Sequence, residues 1–345
     1  MGPHPAVAAI RHAVRASVSV LDPGDLVLAA CSGGADSLAM AAALAFEAPK
    51  AGLLAGGVTV DHGLQHGSAE QAAHVTATMT ELGLNPVLAV TVVVAAPGDV
   101  DYHGPEAAAR AARYAALDSA AKTTAPPGGA WIMLGHTLDD QAETVLLGLA
   151  RGSGARSLAG MAPRSGCYLR PLLRIRRSQT AAACAALGLE SWDDPQNSDP
   201  AFARSRVRHD LMPALAAALG PGLAEALGRT ADLLRADADT LDAIAVTEAD
   251  KLGGTGAAVS EGWAADAIGA LPEAIRHRVL RLAALAAGCP AGDLSHRHTA
   301  SLDELVTAWH GQRWADLPGG VRCQREYGKL LFTAAARSED AGGRE

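Results

Sequence analysis

Aromatic residues are scarce in this 345-residue chain, at 3%, and lysine is scarcer still, with four among the 29 basic residues. The core cannot be organised around stacked rings; hydrophobic residues make up 49%, mostly Leu, Val and Ala, with alanine alone above a fifth. No apolar run approaches the roughly 18–20 residues needed to cross a bilayer, which argues against a membrane protein. The opening stretch MGPHPAVAAIRHAVRAS lacks a long apolar segment followed by a small-residue cleavage site, so no secretory signal is expected. Five cysteines (Cys31, Cys167, Cys184, Cys289 and Cys323) stand far apart with no CxxC pair, and read as reduced thiols instead of a disulfide or zinc framework. At 19%, charged residues are too few for a disordered chain. What remains is a globular, cytoplasmic protein, and a prior of about 150 residues per domain suggests two domains.

Acidic residues are also missing locally. None occurs between Glu143 and Glu190, where seven arginines stand: Arg151, Arg156, Arg164, Arg170, Arg174, Arg176 and Arg177. From 151 to 209 ten arginines face four acidic residues, a net +6 in a chain of −8, which leaves −14 for the rest. A basic block inside an acidic protein is the pattern expected where phosphates dock, although a solvated basic face would look the same.

The first half alternates short apolar runs with alanine-rich helical stretches. Strands are expected at Leu26–Cys31, Leu53–Val60, Pro86–Val94 and Ala130–Leu134, and helices at Ser37–Glu47, Ser68–Leu82, Pro105–Lys122 and Leu138–Ala150. Strands joined by helices of this length make right-handed crossovers, so a doubly wound parallel α/β sheet is predicted. Further on, a helix is expected near Ser178–Leu187, strong helicity from 214 to 250, another helix around Pro272–Ala287, and a small hairpin in VRCQREYGKLLF. The predicted domains are an α/β domain over 1–215 and a smaller, mainly helical one over 216–337, with a disordered tail over 338–345. The alanine-rich faces of 214–250 are compatible with a homodimer.

The sharpest motif is Ser32-Gly33-Gly34-Ala35-Asp36-Ser37, between the first strand and the first helix of that pattern. Paired glycines let backbone N–H groups crowd an anion, and a helix start adds unpaired donors and a positive dipole end. Asp36 is placed to hold magnesium or its water shell. The loop has no Lys, so it is not GxxxxGK[ST], and no GxGxxG is present. Ligands of doubly wound sheets sit at the carboxyl ends of the strands. Asp61 and His62 end the second strand, suited to an adenosine or to a plain turn. Gly135 and His136 end the fourth, and the helix behind carries Asp139, Asp140 and Glu143. His136, Asp140 and Glu143 are spaced i, i+4, i+7, so a helix would aim all three one way, at an ammonium group or a metal. Acidic residues also simply suit a helix N-terminus. On the preceding helix Glu106, Arg110 and Arg113 share that spacing, as a phosphate contact or a surface ion-pair ladder.

The loop SGGADS resembles that of the ATP pyrophosphatases. With VDHGLQHGSAE, EAAARAARYAAL, LGHTLDDQAETVLLGLARGSGARSLAGM, RPLLRIRR and WDDPQNSDPAFARSRVRHDLMPAL following in order, the chain is similar over about 25–215 to the tRNA(Ile)-lysidine synthase family. LPEAIRHRVLRLA and ADLPGGVRCQREYGKLLF resemble that family's C-terminal region. The resemblance implies a ligase that uses ATP and Mg2+ to adenylate the C2 oxygen of the wobble cytidine in tRNA(Ile) with anticodon CAU. L-lysine then displaces AMP. It further implies that Ser32 to Ser37 hold the phosphates with Asp36 near the metal, and that His136, Asp140 and Glu143 form the lysine pocket. Arg113 and Arg204 or Arg206 would neutralise phosphate and the developing charge on the base, while the basic block grips tRNA. The chain departs from the family's DPSN at Gln196 and from its RN at Ser205, and resembles the shorter members. A tRNA thiolase, needing sulfur chemistry, and an RNA-binding protein without catalysis are the competing readings; His296–His298 has no assigned role.

Overall fold

A computed structural model describes residues 2–63, 67–96, 98–99, 104–125, 129–152, 154–192, 199–312 and 314–334. Its first helix, α1 (Pro5–Val18), was not anticipated, although Ala6, Val7, Ile10, Val14 and Val18 carry a helical period and are all buried. The four expected strands form as β1 (Leu26–Ala30), β2 (Leu54–Asp61), β3 (Val87–Thr91) and β4 (Ala130–Leu134). Between them run α2 (Ala35–Glu47), α3 (Ser68–Glu81) and α4 (Pro105–Thr124), and α5 (Leu138–Ala150) follows β4. The arginine-rich segment adds α6 (Ala155–Leu158), two-residue strands β5 (Arg164–Ser165) and β6 (Tyr168–Leu169), and α7 (Arg177–Leu187).

The six strands make one sheet in the order β3-β2-β1-β4-β6-β5. All neighbours are parallel except β5 and β6, whose antiparallel pairing makes the sheet mixed at that edge, a detail the expected wholly parallel sheet lacked. β1 lies in the middle with every residue but Ala30 buried, as a strand covered on both faces requires. Its side chains alternate between two clusters. Val27 and Ala29 join Leu38, Met40, Leu44, Ile10 and Val14 beneath α1 and α2. Leu26 and Leu28 join Val58, Leu117, Ile132 and Leu134 beneath α4. Each fully buried Leu or Val here contributes about 1.5–3 kcal/mol relative to exposure.

The chain then forms α8 (Ala203–Arg206), a π-helical turn (Val207–Leu211), α9 (Met212–Leu219) and the long α10 (Leu223–Lys251). Two compact units divide at Arg235/Ala236, inside α10 and beyond the 215/216 boundary expected from sequence. The physical reason lies in the start of α10. Ala224 and Leu227 pack with Met212 on Leu138 and Ala142 of α5, and Glu225 receives Arg176 at 2.8 Å, so these turns belong with the sheet.

The second unit has its own core. Ala245 and Ala249 pack with Trp263, Val279, Leu280, Leu302, Cys323 and Phe332. Its helices are α11 (Gly254–Ser260), α12 (Ala265–Gly269), α13 (Glu273–Ala286) and α14 (His296–Thr307). The expected hairpin appears as β9 (Val321–Glu326) and β10 (Lys329–Ala334), enlarged by β7 (Trp263–Ala264) and β8 (Ala315–Leu317) to a four-stranded antiparallel sheet. His298 is engaged locally: its Nδ1 meets the N–H and Oγ of Ser295, capping α14. Residues 338–345 and Gln196 lie outside the described residues. Among the described residues no single helix is long and apolar enough to cross a membrane.

A candidate active site at the carboxyl edge of the sheet

Registered pairing sets the ends of β1 and β4 level, with Ala30 opposite Leu134, while on the other side Ala30 lies opposite Val58 of β2, which runs on to Asp61. The loop after β1 turns at Gly33, whose φ of 86° is the left-handed region that favours glycine. A Cβ there would lie 2.7 Å from Gln71 Nε2 and 2.8 Å from Val75 Cγ2, so the position is closed to side chains on steric grounds too. The Ser37 hydroxyl ties the loop together, donating to Gly34 O at 2.9 Å and accepting from the Ser32 N–H at 3.2 Å. Trp192 N–H clamps Gly33 O at 2.9 Å. No side chain caps the N-terminus of α2 at Gly34, which leaves its first N–H groups pointing toward the space in front of the loop. Gly135, after β4, closes the floor: a Cβ there would stand 3.1 Å from the Ser37 backbone.

Asp36 lies in the first turn of α2 and accepts hydrogen bonds from the Thr180 hydroxyl and, at 3.4 Å, from Arg177 Nε. Burial raises its pKa above the usual carboxylate value, against the opposing pull of Thr180 and Arg177. At the end of β2, Asp61 accepts from the Gly63 N–H at 2.9 Å, the turn-forming role. His62 meets Arg113 of α4 at 3.4 Å, so two expected site residues from separate elements do come together.

α5 begins with a capping box. Asp140 Oδ2 accepts from both the N–H and the hydroxyl of Thr137 at 2.8 Å. The two readings of this acidic turn, cap and ligand site, thus share one carboxylate, because Oδ1 faces the other way. Oδ1 accepts from Arg177 and from Arg208, each at 2.9 Å. Glu143, 1% exposed, accepts from Arg204 Nε at 3.0 Å and Arg208 Nε at 2.8 Å, with Arg177 3.5 Å away. Burial pushes the Asp140 pKa up, but Arg177, Arg204 and the Thr137 N–H outweigh it and hold the carboxyl below its ordinary value. Asp139 completes the set by accepting from Arg176 at 3.0 Å and from the Arg177 N–H at 2.8 Å.

The structure therefore joins Asp36, Asp140, Glu143 and Arg204 in one ionic cluster. Arg206 is not in it: its guanidinium donates to the carbonyls of Pro200 and Ala201, at 2.6 and 3.0 Å. Arg177, Arg208 and Thr180 are in it and were not singled out. For Arg208 a signal existed, since Arg204 and Arg208 are spaced i, i+4.

His136 does not lie on the helix, which starts only after Thr137, so the i, i+4, i+7 pattern applies strictly to Asp140 and Glu143. Its ring is nevertheless beside them, with a buried Nδ1 that meets no hydrogen-bond partner. Burial lowers its pKa to about 4, with the nearby arginines adding to the effect and Asp140 opposing it. The imidazole is neutral near pH 7. Because the folded value lies below the ordinary 6.5, the unfolded chain gains a proton first as pH falls. Stability from this group is complete above pH 6.5, declines between 6.5 and about 4, and levels off below that. Denaturant midpoints measured at about pH 7.5 and about pH 5 should fall less in His136→Gln than in the wild type; equal falls would contradict a buried neutral ring.

Residues 8–215 match the PP-loop domain family, and residues 264–331 match the TilS substrate binding domain. The tRNA(Ile)-lysidine synthase of Thermobifida fusca is 55% identical over 333 residues, spanning 96% of this chain and 99% of that protein. The protein of the same name from Streptomyces coelicolor is 52% identical, spanning 96% and 99%. That from Mycobacterium tuberculosis is 46% identical, spanning 93% of each. Among solved structures, the U34-tRNA thiolase NcsA from Methanococcus maripaludis with its 4Fe-4S cluster superposes with a TM-score of 0.53 and 21% identity, over 67% of this chain and 80% of that one. At that identity the likeness concerns the fold alone.

Proposed function

The chain belongs to the tRNA(Ile)-lysidine synthase family, and from that premise we propose that it joins L-lysine to C2 of the wobble cytidine of tRNA(Ile) with anticodon CAU at the expense of ATP. In the first step the cytidine C2 oxygen attacks the α-phosphorus of ATP, the α–β bond breaks, and pyrophosphate leaves. In the second the lysine side-chain amine attacks C2, AMP departs, and the amine surrenders a proton. The observation that carries this reading is the adjacency of two sites: an uncapped helix start behind Ser32–Ser37, and a buried carboxylate face at Asp140 and Glu143 reached through Arg177.

Each residue has a task its surroundings support. The loop N–H groups and the Ser32 and Ser37 hydroxyls take the phosphates. Asp61, His62 and Gly135 border the space for the nucleoside. Asp140 and Glu143 receive an ammonium group, and the neutral His136 Nδ1 accepts a hydrogen bond from it. Arg113 and Arg204 offset phosphate charge and the charge growing on the base oxygen, and Arg206, on the outer side of the same segment, serves tRNA phosphates together with the basic block.

Magnesium fits as a companion of the nucleotide. It is commonly held by one or two carboxylates plus substrate phosphates and water. Asp36 supplies one such oxygen donor, and among the described residues no cluster of three His, Cys, Asp or Glu forms a closed metal cage. When bound it would neutralise phosphate charge beside Asp36. We place the protein in the cytoplasm, where tRNA, ATP and reduced thiols coexist. A homodimer through α10, where Leu233 is 69% exposed, is the matching oligomeric proposal, to be read by light scattering.

The deciding experiment supplies labelled lysine, ATP and magnesium with a tRNA(Ile) transcript carrying anticodon CAU, beside initiator methionine tRNA. Label on the isoleucine tRNA alone, with AMP and pyrophosphate released, is the expected result. AMP release that needs a sulfur donor and incorporates no lysine would move the protein to the thiolases.

A further inference from the structure

Asp36, Asp140 and Glu143 meet three guanidinium groups: Arg177, Arg204 and Arg208. Formally the cluster is neutral, and it fills the face that the ligase reading assigns to the amine. A free ammonium entering it as it stands would bury one uncompensated positive charge, which a desolvated site strongly disfavours. One of the three cations must leave first.

Arg177 differs from the other two in what it spans. Among the described residues the carboxylates that Arg204 and Arg208 meet all belong to α5, and Arg204 also donates to the Asp140 carbonyl and the Thr144 hydroxyl. Arg177 reaches from Asp36 Oδ2 in the phosphate-binding loop, at 3.4 Å, to Asp140 Oδ1, at 2.9 Å, and lies 3.5 Å from Glu143. Its side chain is 32% exposed, against 27% for Arg204 and 22% for Arg208, so of the three guanidinium groups it has the most access to the space outside the cluster. Its backbone is anchored, because its N–H donates to Asp139 and its residue begins α7. Movement is thus confined to the side chain.

We infer that Arg177 is a place-holding cation that keeps the amine site shut until a nucleoside triphosphate arrives, and that it thereby makes lysine binding depend on ATP. This rests on the ligase reading. A triphosphate in front of the loop carries three to four negative charges and offers planar oxygen pairs to a guanidinium fork. Magnesium brought beside Asp36 repels the same guanidinium. Both forces draw Arg177 off Asp140 and Glu143 toward the phosphates. Magnesium and the phosphates then take over Asp36 and Arg177, and Asp140 Oδ1 and Glu143 lose one of the cations they hold, a place that one ammonium group refills. Lysine then enters only beside a loaded nucleotide, and by linkage it tightens the nucleotide by the same factor.

The test uses the full chain, Mg2+ and α,β-methylene-ATP, whose bridging carbon resists the bond cleavage of the first step. Labelled lysine binding is measured by equilibrium dialysis with and without the analogue. In the wild type the analogue should tighten lysine at least tenfold. In Arg177→Gln lysine should bind equally with and without it, while analogue binding and melting temperature report that the variant is folded. Should Arg177→Gln fail to fold, Arg177→Lys, which keeps the charge, must retain coupling of at least threefold. Equal lysine binding by the wild type in both conditions, no lysine binding in either, tenfold coupling persisting in Arg177→Gln, or its loss in Arg177→Lys would each overturn the inference. Lysine transfer to tRNA by the wild type is scored separately, and its failure would overturn the ligase reading whatever the dialysis shows.

Discussion

Asp36→Ala is expected to abolish AMP release while leaving tRNA affinity within a few-fold of the wild type. The carboxylate stands in the first turn of α2, directly behind the phosphate loop, held by Thr180 and Arg177. It is the oxygen donor on that loop suited to a hard cation, and metal-assisted charge neutralisation at a phosphoryl group is worth several kcal/mol of barrier, so the loss should be on the order of a thousandfold. Its removal also leaves Arg177 with Asp140 and Glu143 as its carboxylate partners. On the proposed reading tRNA phosphates meet the arginine-rich block instead, an electrostatic term that does not involve Asp36. Asp36→Asn separates the effects, since it keeps the Thr180 hydrogen bond but not the charge. Single-turnover AMP release and filter binding of tRNA read the two quantities. Turnover within tenfold of the wild type in Asp36→Ala would end the assigned role.

Glu143→Ala should be the most destabilising single change at the site. Glu143 is 1% exposed and accepts hydrogen bonds from Arg204 and Arg208, with Arg177 close by. Deleting it leaves guanidinium groups facing a buried pocket without their counter-ion. Breaking one side of a buried ion pair typically costs about 3–5 kcal/mol, because the remaining charge is stranded. For a unit of this size that corresponds to a fall of about 10 °C in melting temperature. Glu143→Gln, which keeps the shape and one acceptor oxygen, should recover part of the loss. A shift below about 2 °C in Glu143→Ala would mean that water or Asp140 takes up the arginines, and that the cluster is less closed than its burial implies.

The parts of this site written in consecutive residues were legible beforehand. Ser32–Ser37 shows its turn through Gly33 and its helix start through Asp36. Ala130–Leu134 and Leu138–Ala150 have the expected limits because an apolar strand, a Thr cap and an acidic first turn follow one another without ambiguity. Contacts that span long stretches of chain were not legible. Arg177 meets Asp140 across 37 residues, and Arg208 meets Glu143 across 65. Composition marked both arginines as members of a basic block bound for RNA, whereas the fold turns Arg177 and Arg208 inward onto carboxylates. Arg206, two residues before Arg208, faces the other way because α8 and the π turn place neighbouring residues on different sides. β5, β6 and β7 escaped because two residues carry no period. The helical period of α1, by contrast, was there to be read.

Among the described residues, every cation that meets Asp36, Asp140 or Glu143 is an arginine. Of the lysines, Lys50 and Lys251 pair with Glu47 and Glu248, and Lys329 donates to the Glu261 carbonyl. For an enzyme that prepares a base for attack by an amine, this choice has a chemical consequence. A guanidinium stays protonated at any physiological pH and offers no lone pair on a tetrahedral nitrogen. It can fill and balance the pocket beside an activated cytidine without capturing it. A lysine in the same place would be a tethered competitor at very high effective concentration, and the enzyme would risk ending its first turnover covalently joined to its own tRNA.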